Sequence, residues 1–573
     1  MTTWDHTVDF VAVGSGGGGF VAALTADEAG STVLLLEKRE LLGGSTAMSG
    51  GVVWTPFNRW MTAAGVPDSY DDAWAYFNAV VGDEGPWSSD SRRHAFLAAG
   101  PQMLEFLNDL GVNWLHCEGY SDYYTELDGG CARGRAVEPV PFDARRLGDW
   151  SQKLQLGLAA QIGLAVKTNE MRFMSQFNRS LFCLRTAARV YARTVMARLR
   201  GRQLVTNGAA LVARMLEAAL ARSLPIWTEA AVDELIVSDG RVVGVRVVRD
   251  GVPMAVHARK GVLLAAGGFG HNAEMRRRYG ADQPADGRWS WANPGDTGEV
   301  LSAAMSLGAK SALLDEAWWL PTLEDRELAG STLNMARQRP GSILVDASGQ
   351  RFVNEPNSKM EVGKAMWARH KVSRAVPCWL VVDDGYRRRY AHIAGRPGRF
   401  PPSWLSRGVL KKGATIEELA RECGIDPQGL ANTVDRFNRH ARSGLDPDFG
   451  RGQSEFNKNN GDPGYKLNPA LGPLDRAPFY ATKVIPADIG TCGGLVTNEH
   501  AQVLDEEDQP IPGLYATGNT TATVMGRHYL GPGASIADSM VFGYLAALHA
   551  TGAQSKTEAL IRFPSAHDAE GSR

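Results

Sequence analysis

Few folds accommodate a segment like the one from Val8 to Glu37. An apolar run, Val8 to Val13, leads into the turn Gly14-Ser15-Gly16-Gly17-Gly18-Gly19; a second apolar run, Val33 to Leu36, follows and ends on Glu37. The order is strand, glycine turn, helix, strand, acid, the first βαβ unit of a Rossmann-like domain. A tight turn out of a buried strand needs glycine at Gly14, a diphosphate approaches the backbone only where Gly16 lacks a side chain, and Gly19 lets the helix pack on the sheet. The helix expected from Gly17 to Ala29 offers unpaired N–H groups and a positive dipole end to phosphate. Glu37 is placed to accept both hydroxyls of an adenosine ribose, with Lys38 beside it.

The next segments separate a flavin from a nicotinamide dinucleotide. Gly43, Gly44, Ser45, Thr46, Ser49, Gly50 and Gly51 form a run of glycines and small hydroxyls that suits a chain lying against a diphosphate and an isoalloxazine edge. Gly261 to Leu264 reads as a buried strand ending near Ala266, Gly267 and Gly268. Gly513 to Ala516 reads as another, ending at Gly518 and Asn519, with Asn519 expected on the ribityl chain. Gly533, Ser535 and Ile536 complete the expected contacts. Three separated glycine-ended strands point to one long FAD, bound non-covalently because Ser45 to Gly51 holds no histidine.

These motifs lie at both ends and in the middle of the 573 residues, so an α/β, Rossmann-like FAD domain is expected to be split by an inserted α+β substrate domain. The expected divisions are 1–318 for the FAD domain, with a helical insert at about 150–205, 319–490 for the substrate domain, and 491–573 for the returning FAD domain. Strands are expected at Ile343 to Asp346 and Trp379 to Val382, helices at Thr415 to Glu422, Pro427 to Ser443 and Ser539 to Ala550. With 61 basic against 63 acidic residues, nothing attracts nucleic acid globally. The six cysteines show no metal spacing, so no metal is expected. The first strand leaves no room for a secretory signal, and no uncharged apolar run reaches the ~18 residues of a bilayer span; a cytoplasmic protein with free thiols is the expectation.

Residues 171–202 break the neutrality. They hold eight arginines and no acid, interleaved with Phe173, Phe177, Leu181, Phe182, Leu184 and Tyr191. A basic amphipathic helix here suits peripheral contact with an anionic membrane, a solvated face capping the active site, or a protein interface.

Ser45 to Gly51, Gly490 to Leu495 and Gly526-Arg527-His528-Tyr529-Leu530-Gly531-Pro532-Gly533 together resemble the 3-ketosteroid dehydrogenases, a branch of the fumarate reductase and succinate dehydrogenase flavoprotein superfamily. The resemblance covers nearly the whole chain. In those enzymes a YPGPG sequence puts a tyrosine hydroxyl and a glycine N–H on the ring ketone, which implies those roles for Tyr529 and Gly533; Leu530 replaces the usual proline. The implied reaction is α,β-desaturation, with an α proton leaving to a base and a β hydride passing to flavin. At the position of the family's catalytic tyrosine this chain has Lys359, and a second family tyrosine matches Tyr123. Lys359, or one of Tyr123, Tyr124 and Tyr191, is therefore the expected proton acceptor. The partner so implied is a cyclic ketone, a steroid or a small ring of the cyclohexanone kind, and Trp114, Trp318 and Trp319 are candidates to shape its pocket or to lie in the core. The acceptor that reoxidises the flavin, a quinone or a redox protein, is left open. A dicarboxylate reductase of the fumarate reductase kind needs an arginine and histidine clamp where this chain has Tyr529 and Gly533; a flavin-binding module without catalysis is the remaining alternative.

Overall fold

Phe10, Val11, Ala12 and Val13 leave no face of their strand for water, and all four are buried. In the computed structural model, which describes residues 3–157, 163–174, 176–280, 287–323, 325, 335–392 and 397–553, their strand, His6–Val13, lies inside the main sheet. It runs parallel to Val33–Leu36 on one side and to Val252–Leu264 on the other. Pro510–Ala516 extends the sheet in parallel beyond Val262 to Leu264, and Ala230–Ser238 and Arg241–Arg249 form an antiparallel flap on Val252–Leu264. Strands that enter a parallel sheet side by side end on one edge, so the glycine turns after Val13, Leu264 and Ala516 meet there.

The first helix, Gly17–Glu28, is buried from Gly17 to Ala26 because it lies between the sheet and the C-terminal helix, Ala534–Thr551. Those two helices approach through glycine. A Cβ on Gly18 would stand 2.6 Å from the Ser539 carbonyl oxygen, and one on Gly543 would stand 2.4 Å from that of Gly18. The C-terminal helix starts at Ala534, five residues before the expected start, with Gly533 as its left-handed N-cap at φ 87°. The Tyr529 to Gly533 segment thus feeds directly into a helix N-terminus.

A second, antiparallel sheet contains Ala317–Thr322, Phe479–Thr491, Cys378–Asp383, Ser342–Val345 and Leu410–Gly413. Helices Ile416–Cys423 and Pro427–Ser443 pack under it. Against Ala317–Thr322 lies the helix Lys359–His370, whose N-cap Ser358 accepts from the Glu361 N–H. Gly363 permits that approach, since a Cβ there would meet Trp319 at 2.4 Å.

The arginine-rich stretch is two helices rather than one. Thr168–Met174 and Leu181–Leu199 are separated because Ser180 caps the second, accepting from the Cys183 N–H. Among the described residues no helix is long and apolar enough to cross a membrane.

Candidate active site

The edge where the glycine turns meet opens into a cavity of about 560 Å³ that continues to the second sheet. Gly14, Ser15, Gly16, Glu37, Lys38, Gly44, Ser45, Thr46, Ser49 and Gly50 line it, as do Ala266, Gly267, Gly518, Asn519, Gly533, Ser535 and Ile536. Two glycines of the first turn have different reasons to be glycine. Gly14, at φ 106°, would drive a Cβ to 2.3 Å from the Ala265 carbonyl oxygen, whereas a Cβ on Gly16 would meet nothing closer than Thr46 Oγ1 at 3.7 Å. Gly14 serves the protein's own packing, and Gly16 keeps a cradle open for a group in the cavity. That open cradle, between the helix N-terminus and a glycine-rich wall, fits the diphosphate of a dinucleotide.

The other expected glycines act in packing and do not line the cavity. Gly17 donates its N–H to Thr46 Oγ1 at 3.0 Å, so that donor is already used. Gly19, Gly43, Gly51 and Gly268 would each clash through a Cβ with neighbouring protein atoms, at 1.9 Å, 2.7 Å, 2.3 Å and 2.0 Å. Glu37 lines the cavity with its carboxylate engaged: Oε2 accepts from the Ser15 N–H and hydroxyl at 3.2 and 2.6 Å, and Oε1 from the Arg39 N–H at 2.9 Å. Lys38 forms a 3.0 Å ion pair with Glu299. Asp296, which the sequence reading missed, also faces the cavity; burial pushes its carboxyl up to about 7 against the Ser45 hydrogen bond.

At the far end the cavity is lined by Tyr123, Tyr529, Lys359, Trp318, Arg337 and Phe456. The Tyr529 ring stacks on that of Tyr123, centroids 5.6 Å apart, and meets Trp318 edge-on at 5.0 Å. Its hydroxyl lies 2.8 Å from Ser535 Oγ. Burial raises the Tyr529 phenol, partly opposed by Ser535, and raises that of Tyr123 well above its usual value, so both rings keep their protons at neutral pH. Lys359 opens its helix, and its Nζ lies 4.8 Å from the centre of the Tyr529 ring. Burial lowers its ammonium to about 8, and a helix N-terminus is itself a poor place for a cation. Phenol donors and a readily deprotonated amine therefore share one wall.

Buried charge holds this wall in place. Asp122 accepts from Trp54 Nε1 at 2.7 Å and pairs with Arg135 at 2.6 Å. Trp54 lies against Gly531, where a Cβ would be 2.8 Å from its ring, which ties the Tyr123 loop to the Tyr529 turn. On the other side Arg351 pairs with Glu355 and Asp446, and Arg451 with Glu355, all buried. Those pairs fix the loop that ends at Ser358 and Lys359.

Several expected residues fall elsewhere. Tyr191 is 68% exposed on the outer side of its helix, so it cannot take a proton inside the cavity. Tyr124 points behind the wall, its hydroxyl donating to Glu361 at 2.9 Å. Trp114 and Trp319 are core residues held by the Leu104 carbonyl and Glu316; Trp318 belongs to the cavity, donating to Asn519 Oδ1 at 2.9 Å. Arg527 and His528 turn away to Asp315, Glu316 and Glu84, so they form no carboxylate clamp. His440, Asp446 and Asp448 come within reach of one another, but Arg351 and Arg436 occupy the two carboxylates.

Comparison with known proteins agrees with this geometry. Residues 9–536 match the family described as FAD binding domain. A 3-oxosteroid 1-dehydrogenase of Mycolicibacterium smegmatis is 39% identical, with 96% of this chain and 98% of the relative covered. A 4-oxocyclohex-2-ene-1-carboxylate 5-dehydrogenase of Sinomonas cyclohexanicum is 34% identical, with 95% of each chain covered. The crystal structure of a 3-ketosteroid Δ1-dehydrogenase from Sterolibacterium denitrificans, in complex with 1,4-androstadiene-3,17-dione, superposes with a TM-score of 0.89 at 36% identity, covering 96% of this chain and 100% of that one.

Proposed function

The chain belongs to the FAD-binding-domain family, among its 3-ketosteroid dehydrogenase-like flavoproteins, with FAD as its cofactor, and we propose that it desaturates the ring of a 3-ketosteroid at the α and β carbons. The observation that carries this reading is the meeting of Tyr529, Gly533 and Lys359 in the cavity that also holds the open Gly16 cradle.

Removing an α proton requires a carbonyl polarised toward its enolate. Tyr529, kept protonated by burial, donates its hydroxyl to the ketone oxygen. Gly533, whose N–H makes no hydrogen bond with another described residue, supplies a second donor beside the positive end of the C-terminal helix. Such donors stabilise the developing oxyanion by roughly 3 to 4 kcal/mol each. Lys359, as the neutral amine, accepts the α proton and becomes the ammonium. The ring of Tyr529 then faces that new cation at the distance at which a cation–π contact stabilises it. Tyr123 packs on Tyr529 and holds a second phenol in the same wall. Bound FAD supplies the acceptor for the β hydride.

In this division of labour, residues 1–318 and 491–573 bind FAD and carry the ketone clamp, and 319–490 carry the base. A small cyclic ketone is the second substrate reading, favoured by Trp318 on Tyr529 and by the Sinomonas relative. A quinone or a redox protein is proposed as electron acceptor, with residues 171–202 in peripheral contact with a membrane. Incubation with a 3-keto-4-ene steroid and an artificial acceptor tests the proposal: a product lighter by H2, with the new double bond at the α and β carbons, is expected. Turnover of ring ketones bearing a carboxylate, with none of a steroid, would move the assignment to the small-ring class.

A further inference from the structure

Two lysines among the described residues line the cavity, and they are held differently. Lys38, at the nucleotide end, pairs with Glu299 at 3.0 Å. Lys359, at the ketone end, makes no ion pair and no hydrogen bond through its amine among the described residues; its neighbour is the face of the Tyr529 ring, 4.8 Å away. Lys364, further along the same helix, is by contrast engaged by the Arg527 carbonyl and Glu316. With burial alone bringing Lys359 down to about 8, an appreciable part of its amine is neutral near that pH. An unpaired, desolvated lysine of this kind attacks carbonyl carbon as well as accepting protons.

Position gives that nucleophilicity a target. In the desaturation pose the carbonyl oxygen rests on Tyr529 and Gly533, and the α hydrogen faces Lys359. The carbonyl carbon is bonded to the α carbon, so an amine within reach of that hydrogen stands about one bond length from the carbon that Tyr529 polarises. A phenol here, as at the matching position of the 3-ketosteroid dehydrogenases, can hold a proton but forms no C=N bond.

We propose that Lys359 also captures the cyclic ketone held on Tyr529 and Gly533 as a reversible imine, a covalent state beside the desaturation cycle. This inference rests on the ketone clamp of the proposed reaction. The nitrogen lone pair adds to the carbonyl carbon while the C=O π pair moves to oxygen, which takes a proton from Tyr529. Nitrogen returns a proton to the phenolate and gives up its second as the hydroxyl leaves as water, so C=N forms with nothing oxidised or reduced. Apolar walls keep water from reversing the step quickly: Phe456 packs on Tyr123 with centroids 5.0 Å apart, and Trp318 meets Tyr529 at the same distance.

The test incubates the FAD-loaded protein anaerobically at about pH 8, without an electron acceptor, with a saturated 3-ketosteroid or cyclohexanone. Cyanoborohydride then delivers hydride to any C=N, and the protein is weighed intact and mapped by peptide. One adduct per chain is expected, equal to the ligand less one oxygen atom and located on Lys359. Lys359→Gln should carry none, and Tyr529→Phe should form it about 10²-fold more slowly, the usual effect of losing a positioned acid. Mapping on the parent decides the matter even if a variant fails to fold. No adduct in the parent, an adduct that retains the oxygen, or one spread over surface lysines and kept in Lys359→Gln would overturn the proposal. Flavin bleaching without an adduct overturns the imine and leaves desaturation standing; an adduct without bleaching does the reverse.

Discussion

Lys359 Nζ lies 4.8 Å from the centre of the Tyr529 ring, so a primary amine and a buried phenol face one another across the part of the cavity where the ketone is proposed to bind. The pair divides the chemistry by charge. The phenol stays protonated and donates, while the amine, lowered to about 8 by burial, loses its proton within the working pH range.

The pH profile follows from that division. The neutral amine is the active form, so kcat/KM should fall as pH drops through about 8. Lys359→Gln should remove this limb and cost about 10²- to 10⁴-fold in rate, the usual worth of a positioned base. Lys359→Tyr should retain activity with the limb moved upward, toward the ordinary tyrosine value near 10. A pH–rate series on the three proteins checks this; a limb near 8 that survives in Lys359→Gln would assign the titration to another group.

Replacing Lys359 should raise stability while it lowers the rate. A lysine that titrates at about 8 folded and 10.5 unfolded binds fewer protons in the native state between those values, so its cost is full below about 8 and vanishes above 10.5. Lys359→Met should therefore unfold at higher temperature than the parent at pH 7, by up to roughly 3 kcal/mol, and the gap should close toward pH 10. Calorimetry of the apoproteins measures both.

Tyr529→Phe removes the hydroxyl donor and its contact with Ser535 while leaving the ring that packs on Tyr123 and Trp318. The expected result is a loss of about 10²- to 10³-fold in kcat with FAD content unchanged. Rapid-reaction measurement of flavin reduction separates this loss from any effect on reoxidation.

Gly14 and Gly16 should respond differently to alanine. Gly14→Ala puts a Cβ 2.3 Å from a backbone carbonyl at φ 106°, and a poorly folded protein is expected. Gly16→Ala meets open space, so the apoprotein should melt like the parent while its FAD affinity falls. Thermal melting of the apoproteins and flavin titration distinguish the two.

The difference between those glycines shows what the sequence carried. The strand, turn and helix from Val8 onward were legible because local spacing dictates them, and Tyr529 and Lys359 could be placed because each stands in a short motif. Arg351, Glu355, Asp446 and Arg451 went unnoticed, since a buried ion network joins residues about a hundred positions apart and leaves no periodicity. Asp122, Asp296 and Arg337 were hidden because the groups that hold them in the site, Trp54, Ser45 and the Glu355 carbonyl, are not their sequence neighbours. The stretch 171–202 read as one helix because its apolar and basic pattern outweighed Ser180, although Asn178, Arg179 and Ser180 gave a cap signal. Tyr191 fails as a proton acceptor because it stands on the exposed side of its helix, a side that the sequence of 171–202 left open.

The most direct test is an anaerobic titration of the flavin absorbance with a 3-keto-4-ene steroid. Bleaching of the oxidised flavin, with one ketone desaturated per flavin reduced, is what the arrangement of Tyr529, Gly533 and Lys359 predicts. If neither a steroid nor a cyclic ketone bleaches it, while fumarate reoxidises the dithionite-reduced protein, the ketone clamp has been assigned to the wrong residues.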